Sequence, residues 1–223
     1  PTVNRIRLTT IALFGMTCGL AQGIGMAQAP AVPSGSACLT PEQREVNKTY
    51  YSLTRPTSRD DQMPFFDPEY FAGTWDVLIR VVDSPLGPGG ESAGELTLAS
   101  AGGCNYAGEL KGEDPDGKPF TRKVTFTFDN VKKALTWTEV DSRGYTWTRV
   151  GPVGGELGGL FHHHFDDSPA FTFAGKKLQI RGVSEMSSPA FYKTDMQVSV
   201  DGGAPTTFGR ATFEKRVSSA PAR

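Results

Sequence analysis

Apolar side chains recur at every second position through most of this sequence, and that spacing constrains the fold more than any other feature. Trp75, Val77, Ile79 and Val81 share one phase, and Val124, Phe126 and Phe128 share another. A two-residue period puts side chains on one face of an extended strand, whereas a helix would need a period near 3.6. Turn formers punctuate the runs: Asp114-Pro115-Asp116-Gly117, Asp129-Asn130, Arg143-Gly144 and Asp201-Gly202-Gly203. The last is a strong hairpin signal. Gly 26 and Pro 16 in 223 residues fit many tight turns.

Strands are expected at 75–83, 95–100, 105–111, 120–128, 135–140, 145–150, 160–165, 171–173, 178–184, 192–200 and 207–217. No crossover helix separates them, so an antiparallel up-and-down meander is the simplest arrangement. Closing it into a barrel removes the exposed edges. The fold class read here is all-β, a barrel of about ten strands. An N-terminal hydrophobic helix and an extended linker precede it.

The first 29 residues read differently. Arg5 and Arg7 are the only charges before Glu42, an apolar Gly-rich stretch follows from Leu8, and Ala27-Gln28-Ala29 ends it. These are the marks of an export signal, with the arginines staying in the cytoplasm and the remainder on the periplasmic side of the inner membrane. Pro30 fits poorly just after a cleavage site, which favours a retained anchor over a cleaved signal. Gly15, Gly19, Gly23 and Ala27 recur every four residues, a small-residue ridge on which a neighbouring transmembrane helix could pack. Residues 30–70 form a Pro/Ser-rich and then aromatic linker, 71–217 the barrel and 218–223 a tail. Within the linker, Thr40 and Pro41 start a short helix as N-cap and first helical residue. Cys38 and Cys104 both lie in the exported part, where either a disulfide or two free thiols would suit them.

Phe71-Ala72-Gly73-Thr74-Trp75 resembles the F-x-G-x-W opening of lipocalin-like (calycin) barrels. Asp129-Asn130-Val131-Lys132-Lys133, Trp137 and the ending Ala211-Thr212-Phe213-Glu214-Lys215-Arg216 are similar to secreted bacterial domains with that barrel. The resemblance implies that Trp75 closes one end and stacks on a basic residue of the last strand, for which Arg210 and Arg216 are the candidates. In overall character the chain is also similar to membrane-extrinsic accessory polypeptides of bacterial photosynthetic reaction centre–antenna complexes.

A net charge of −1 gives no basic surface for nucleic acid. No nucleophile elbow, phosphate loop, dinucleotide fingerprint or Cys-x-x-Cys occurs, and no enzyme is read here. Asp60-Asp61 and Asp166-Asp167 read as solvated loop charges. All three histidines sit in Phe161-His162-His163-His164-Phe165. His162 and His164 would share a face with His163 opposite, too few ligands for a zinc site, so no metal or cofactor is expected. The aromatic set around Trp75, Trp137 and Trp147 is expected to fill the core, the alternative being an apolar cavity. These features favour a non-catalytic, membrane-tethered accessory subunit that stabilises a membrane protein complex. Phe65, Phe66, His162 and His164 would then touch its partner subunits. The alternative is a periplasmic carrier of a small hydrophobic ligand.

Overall fold

A computed structural model describes residues 38–46, 66–154 and 161–216. The ridge residues Gly15, Gly19, Gly23 and Ala27, and also Phe65, lie outside them. Among the described residues, no helix is long and apolar enough to cross a membrane.

Eleven strands are described: β1 (Gly73–Val81), β2 (Gly90–Gly102), β3 (Asn105–Glu113), β4 (Pro119–Asp129), β5 (Ala134–Asp141), β6 (Tyr145–Gly154), β7 (Phe161–His164), β8 (Phe171–Phe173), β9 (Lys176–Ser188), β10 (Phe191–Val200) and β11 (Thr206–Lys215). From β1 to β7 each strand pairs antiparallel with the next, β7 pairs with β9, and β10 and β11 return to β1. Ten strands thus close a ring, and β8 is an eleventh, attached to the outer stretch of β9 through Phe171↔Leu178. The expected all-β barrel is therefore present. The strand β2 begins five residues before its expected start, because Gly90 to Gly94 pair with Val81 to Val77 although they carry little apolar pattern. Backbone bonding, not side-chain phase, extends a strand through such a stretch.

Small residues let the sheet curl. Gly94 lies opposite Gly112 on β2 and β3, and Gly108 lies opposite Leu98. A Cβ at Gly108 would come within 1.8 Å of the Thr97 carbonyl oxygen, so this close strand approach requires glycine.

One end of the barrel is plugged by aromatic rings. Asp67 caps a 3-10 turn (Pro68–Phe71) by accepting from the Glu69 N–H. The turn sets Phe66 and Phe71 across the opening. Phe66 meets Phe128 and Phe161 at 4.6 and 4.9 Å between ring centres, and Phe71 meets Phe126 at 5.0 Å. Phe66 is only 5% exposed and its ring packs into the chain's own core, which leaves little of it for the partner contact expected of it. Trp75 is fully buried beside it and donates its indole N–H to the Phe71 carbonyl at 2.8 Å.

The basic residue over Trp75 is neither Arg210 nor Arg216, which corrects that expectation too. Trp75 lies directly opposite Lys215, so the two point to the same side of the sheet. The Lys215 ammonium sits 5.2 Å from the indole centre and donates to the Tyr70 carbonyl at 3.0 Å. Arg210 and Arg216 have the opposite parity, and so face solvent, paired with Asp195 and with Asp76 and Glu95.

The segment before the barrel is stapled to the plugged end. Cys38 and Cys104 form a disulfide, and Arg44 reaches Asp67 at 3.4 Å. Between them a helical turn covers residues 41–46. Thr40 caps it: its hydroxyl accepts from the Gln43 N–H while the Gln43 side chain accepts from the Thr40 N–H.

Candidate ligand-binding site

The plugged end is filled with rings, but the other half of the barrel is hollow. A cavity opens between the 82–89 loop, the 114–118 turn and the 142–144 turn, and reaches inward to Trp137 and Arg149. Its volume is about 70 Å³. The aromatic set therefore does both things considered for it, plugging one end and lining a space at the other.

The cavity has two unlike walls. From β1 to β3 and β9 to β11 come mainly apolar groups, Ile79, Leu96, Leu110, Met196, Phe208 and Phe213, with Ser92 and Thr194 among them. From β4 to β6 come charged and aromatic groups. Consecutive inward positions on β5 carry Leu135, Trp137, Glu139 and Asp141, those on β6 carry Tyr145, Trp147 and Arg149, and Arg122 faces them from β4. Register stacks them in rows, Arg122 beside Asp141, Glu139 beside Trp147 and Trp137 beside Arg149.

Burying such charges costs several kcal/mol per ion unless each is paired and hydrogen-bonded. Glu139 accepts from the Trp137 indole at 2.9 Å, from Arg149 Nη2 at 2.8 Å and from Arg122 Nη1 at 3.1 Å. Asp141 accepts from Arg122 Nε at 2.8 Å, from Arg143 Nη2 at 2.7 Å and from both the backbone N–H and Nε of Arg143. Arg143 also forks onto Asp114 at the mouth, with 2.9 Å to each oxygen. The Arg149 guanidinium is held between two indoles, 4.6 Å from Trp137 and 4.9 Å from Trp147. Burial alone would raise the Asp141 pKa, but hydrogen bonds from Arg143 and the charge of Arg122 outweigh it and hold the group at about 2. Both carboxylates are thus tied up by donors.

The histidine pointing inward is His163, not His162 or His164. It lies opposite Ser184 on β9, is 2% exposed, and shares a second cavity of about 10 Å³ with Tyr192 and Arg149, on the scale of a single water. Burial, helped by the nearby Arg149 charge, lowers its pKa to about 3, so it is neutral at pH 7. His162 and His164 face outward. His162 is nonetheless buried and lies 3.8 Å from Glu185, which leaves little of it for a partner, while His164 is exposed. No cluster of three or more metal-ligating side chains occurs among the described residues.

Sequence reading does not single out Arg122, Glu139, Asp141 and Arg149, yet they carry a signal. Each sits in the inward phase of its strand, Arg122 midway between Phe120 and Val124, and Glu139 two positions after Trp137. A charge in the apolar phase of a barrel strand marks a polar interior. On β5 the inverse also shows, since Val140 lies outside at 48% exposure.

The model of the family described as "Protein of unknown function (DUF1579)" matches residues 69–215, the whole of the barrel. The chain belongs to the DUF1579 family. Among solved structures, the DUF1579 barrel is similar to that of Rv2717c from M. tuberculosis. The TM-score is 0.54 at 13% identity, over 66% of this chain and 94% of that one. It also aligns with a de novo designed fluorescence-activating β-barrel, at a TM-score of 0.40 and 15% identity over 66% and 95%. At such identity the likeness to Rv2717c is one of fold. No curated protein matches the sequence. None of these matches concerns a reaction-centre polypeptide.

Proposed function

We propose that this DUF1579 barrel is a non-catalytic binding protein that holds a small molecule in its hollow half. The observation that carries this reading is the asymmetry of the interior: one end is packed with rings, and the other encloses a space between an apolar wall and a fixed polar one. A barrel that needed only a core would fill both halves, because unfilled volume costs stability. Fixed polar groups beside an apolar wall are what small-molecule sites generally present. Binding without catalysis is favoured because Glu139 and Asp141 are each tied to arginines, which leaves no free base, and His163 lies behind Arg149. The Cys38–Cys104 disulfide supports an oxidising, extracytoplasmic compartment. The role of accessory subunit has less behind it, since Phe66 and His162 are buried.

Filling the cavity tests the proposal. Ser92 lies opposite Ile79, is buried and lines the space. Ser92→Leu places a larger apolar group there. Saturating acetophenone, used as a small aromatic probe, should raise the melting temperature of the wild type by several degrees and leave that of the variant unchanged. An equal rise in both would place binding outside the cavity and refute the reading.

A further inference from the structure

The donors and acceptors of the polar wall do not balance, and the imbalance specifies what the cavity takes. Arg122 and Arg149 carry five N–H groups each, yet make three hydrogen bonds between them. Arg149 Nε and Trp147 Nε1 are buried with no hydrogen-bond partner among the described residues, and both side chains line the cavity. Arg149 is 4% exposed and Trp147 6%. The acceptors are in the opposite state, with three hydrogen bonds on Glu139 and four on Asp141. The guanidinium N–H groups left over on Arg122 and Arg149 thus outnumber the open acceptor positions, which include Glu139 Oε2 and the Ser92 hydroxyl.

Charge is nevertheless matched. Arg122, Arg143 and Arg149 face Glu139, Asp141 and Asp114 in one connected set. No net positive charge remains to offset the dehydration of an anion, and a cation would find both inner carboxylates occupied. An ammonium or hydroxyl donor finds fewer open partners than an acceptor does, while a hydrocarbon leaves the donors unpaired. Opposite lies a mainly apolar wall, in which Ser92 and Thr194 are the polar members.

Resting on the binding reading above, we infer that the ligand is an uncharged apolar molecule bearing a carbonyl-type oxygen acceptor, such as a small ketone, ester or amide. The oxygen faces the Arg122–Arg149–Trp147 wall and the apolar body lies against Ile79, Leu110 and Met196.

Four probes of one shape test this on the full-length, disulfide-bonded chain by calorimetric titration: acetophenone, ethylbenzene, benzoate and 1-phenylethylamine. Acetophenone should bind at least about tenfold more tightly than ethylbenzene, the effect of one hydrogen bond to a charged donor. It should also bind more tightly than the benzoate anion and the amine cation. Equal binding of ketone and hydrocarbon would refute the acceptor requirement while leaving the cavity reading intact. Benzoate binding most tightly would refute the requirement for an uncharged ligand. Failure of all four to bind would overturn the cavity reading and this inference with it.

Discussion

Glu139 is the residue on which the interior wall depends, because three donors from three strands converge on its carboxylate. Removing its charge leaves Arg122 with only Asp141 and Arg149 with no carboxylate at all. Breaking a buried pair from one side costs about 3–5 kcal/mol, whereas removing both partners costs much less. Glu139→Gln and Arg149→Met should each destabilise by about 3 kcal/mol in denaturant titration, and the double variant by clearly less than their sum. Additive losses would mean that the two side chains are not coupled. His163 gives a second prediction. Its folded pKa of about 3 lies below the ordinary value of 6.5, so above pH 6.5 neither folded nor unfolded state is protonated there. As pH falls from 6.5 towards 3, the unfolded chain takes up a proton that the folded one refuses, and stability is lost by on the order of 4 kcal/mol. Below about pH 4 Asp141 adds to the loss, because its folded pKa is also depressed. Stability measured from about pH 7 to pH 4 should fall steeply in the wild type and much less in His163→Gln. Parallel slopes would show that His163 is not the titrating group.

At the scale of elements, the staple between linker and barrel makes the clearest prediction. The Cys38–Cys104 bond spans a sequence separation of 66, for which loop-closure entropy gives about 4 kcal/mol. The paired Cys38→Ala, Cys104→Ala variant should lose up to that amount, and thiol labelling of unfolded, unreduced wild type should find neither cysteine. Labelling of both would refute the bridge. The strands were largely legible from the sequence, because two-residue alternation leaves no choice of face: Trp75, Val77 and Ile79 point inward as their spacing requires. Closure was legible from the lack of crossovers. The partner of Trp75 was not, since Lys215 differs from its neighbour Arg216 only in parity, and both parity and the place of Arg210 opposite Arg80 are set by the register of β1 on β11. The site was less legible again. Arg122 and Asp141, or Arg149 and Glu139, are far from unusual individually, and only the pairing of β4, β5 and β6 brings them together. Their inward phase was the available signal, and it was masked by a sequence in which charged residues mostly alternate outward.

As a whole molecule, the barrel is packed with rings at one end and encloses a cavity at the other. The three indoles divide between the two halves: Trp75 lies in the plug, while Trp137 and Trp147 line the cavity. Each gives one indole N–H signal in a nitrogen–proton NMR spectrum, so the most direct measurement is to follow all three as acetophenone is added. A ligand held in the hollow half should give progressive shifts at Trp137 and Trp147, accompanied by the Ile79 and Met196 methyl groups, with Trp75 unmoved. Shifts confined to outward-facing residues, or none at saturating probe, would contradict binding in the barrel.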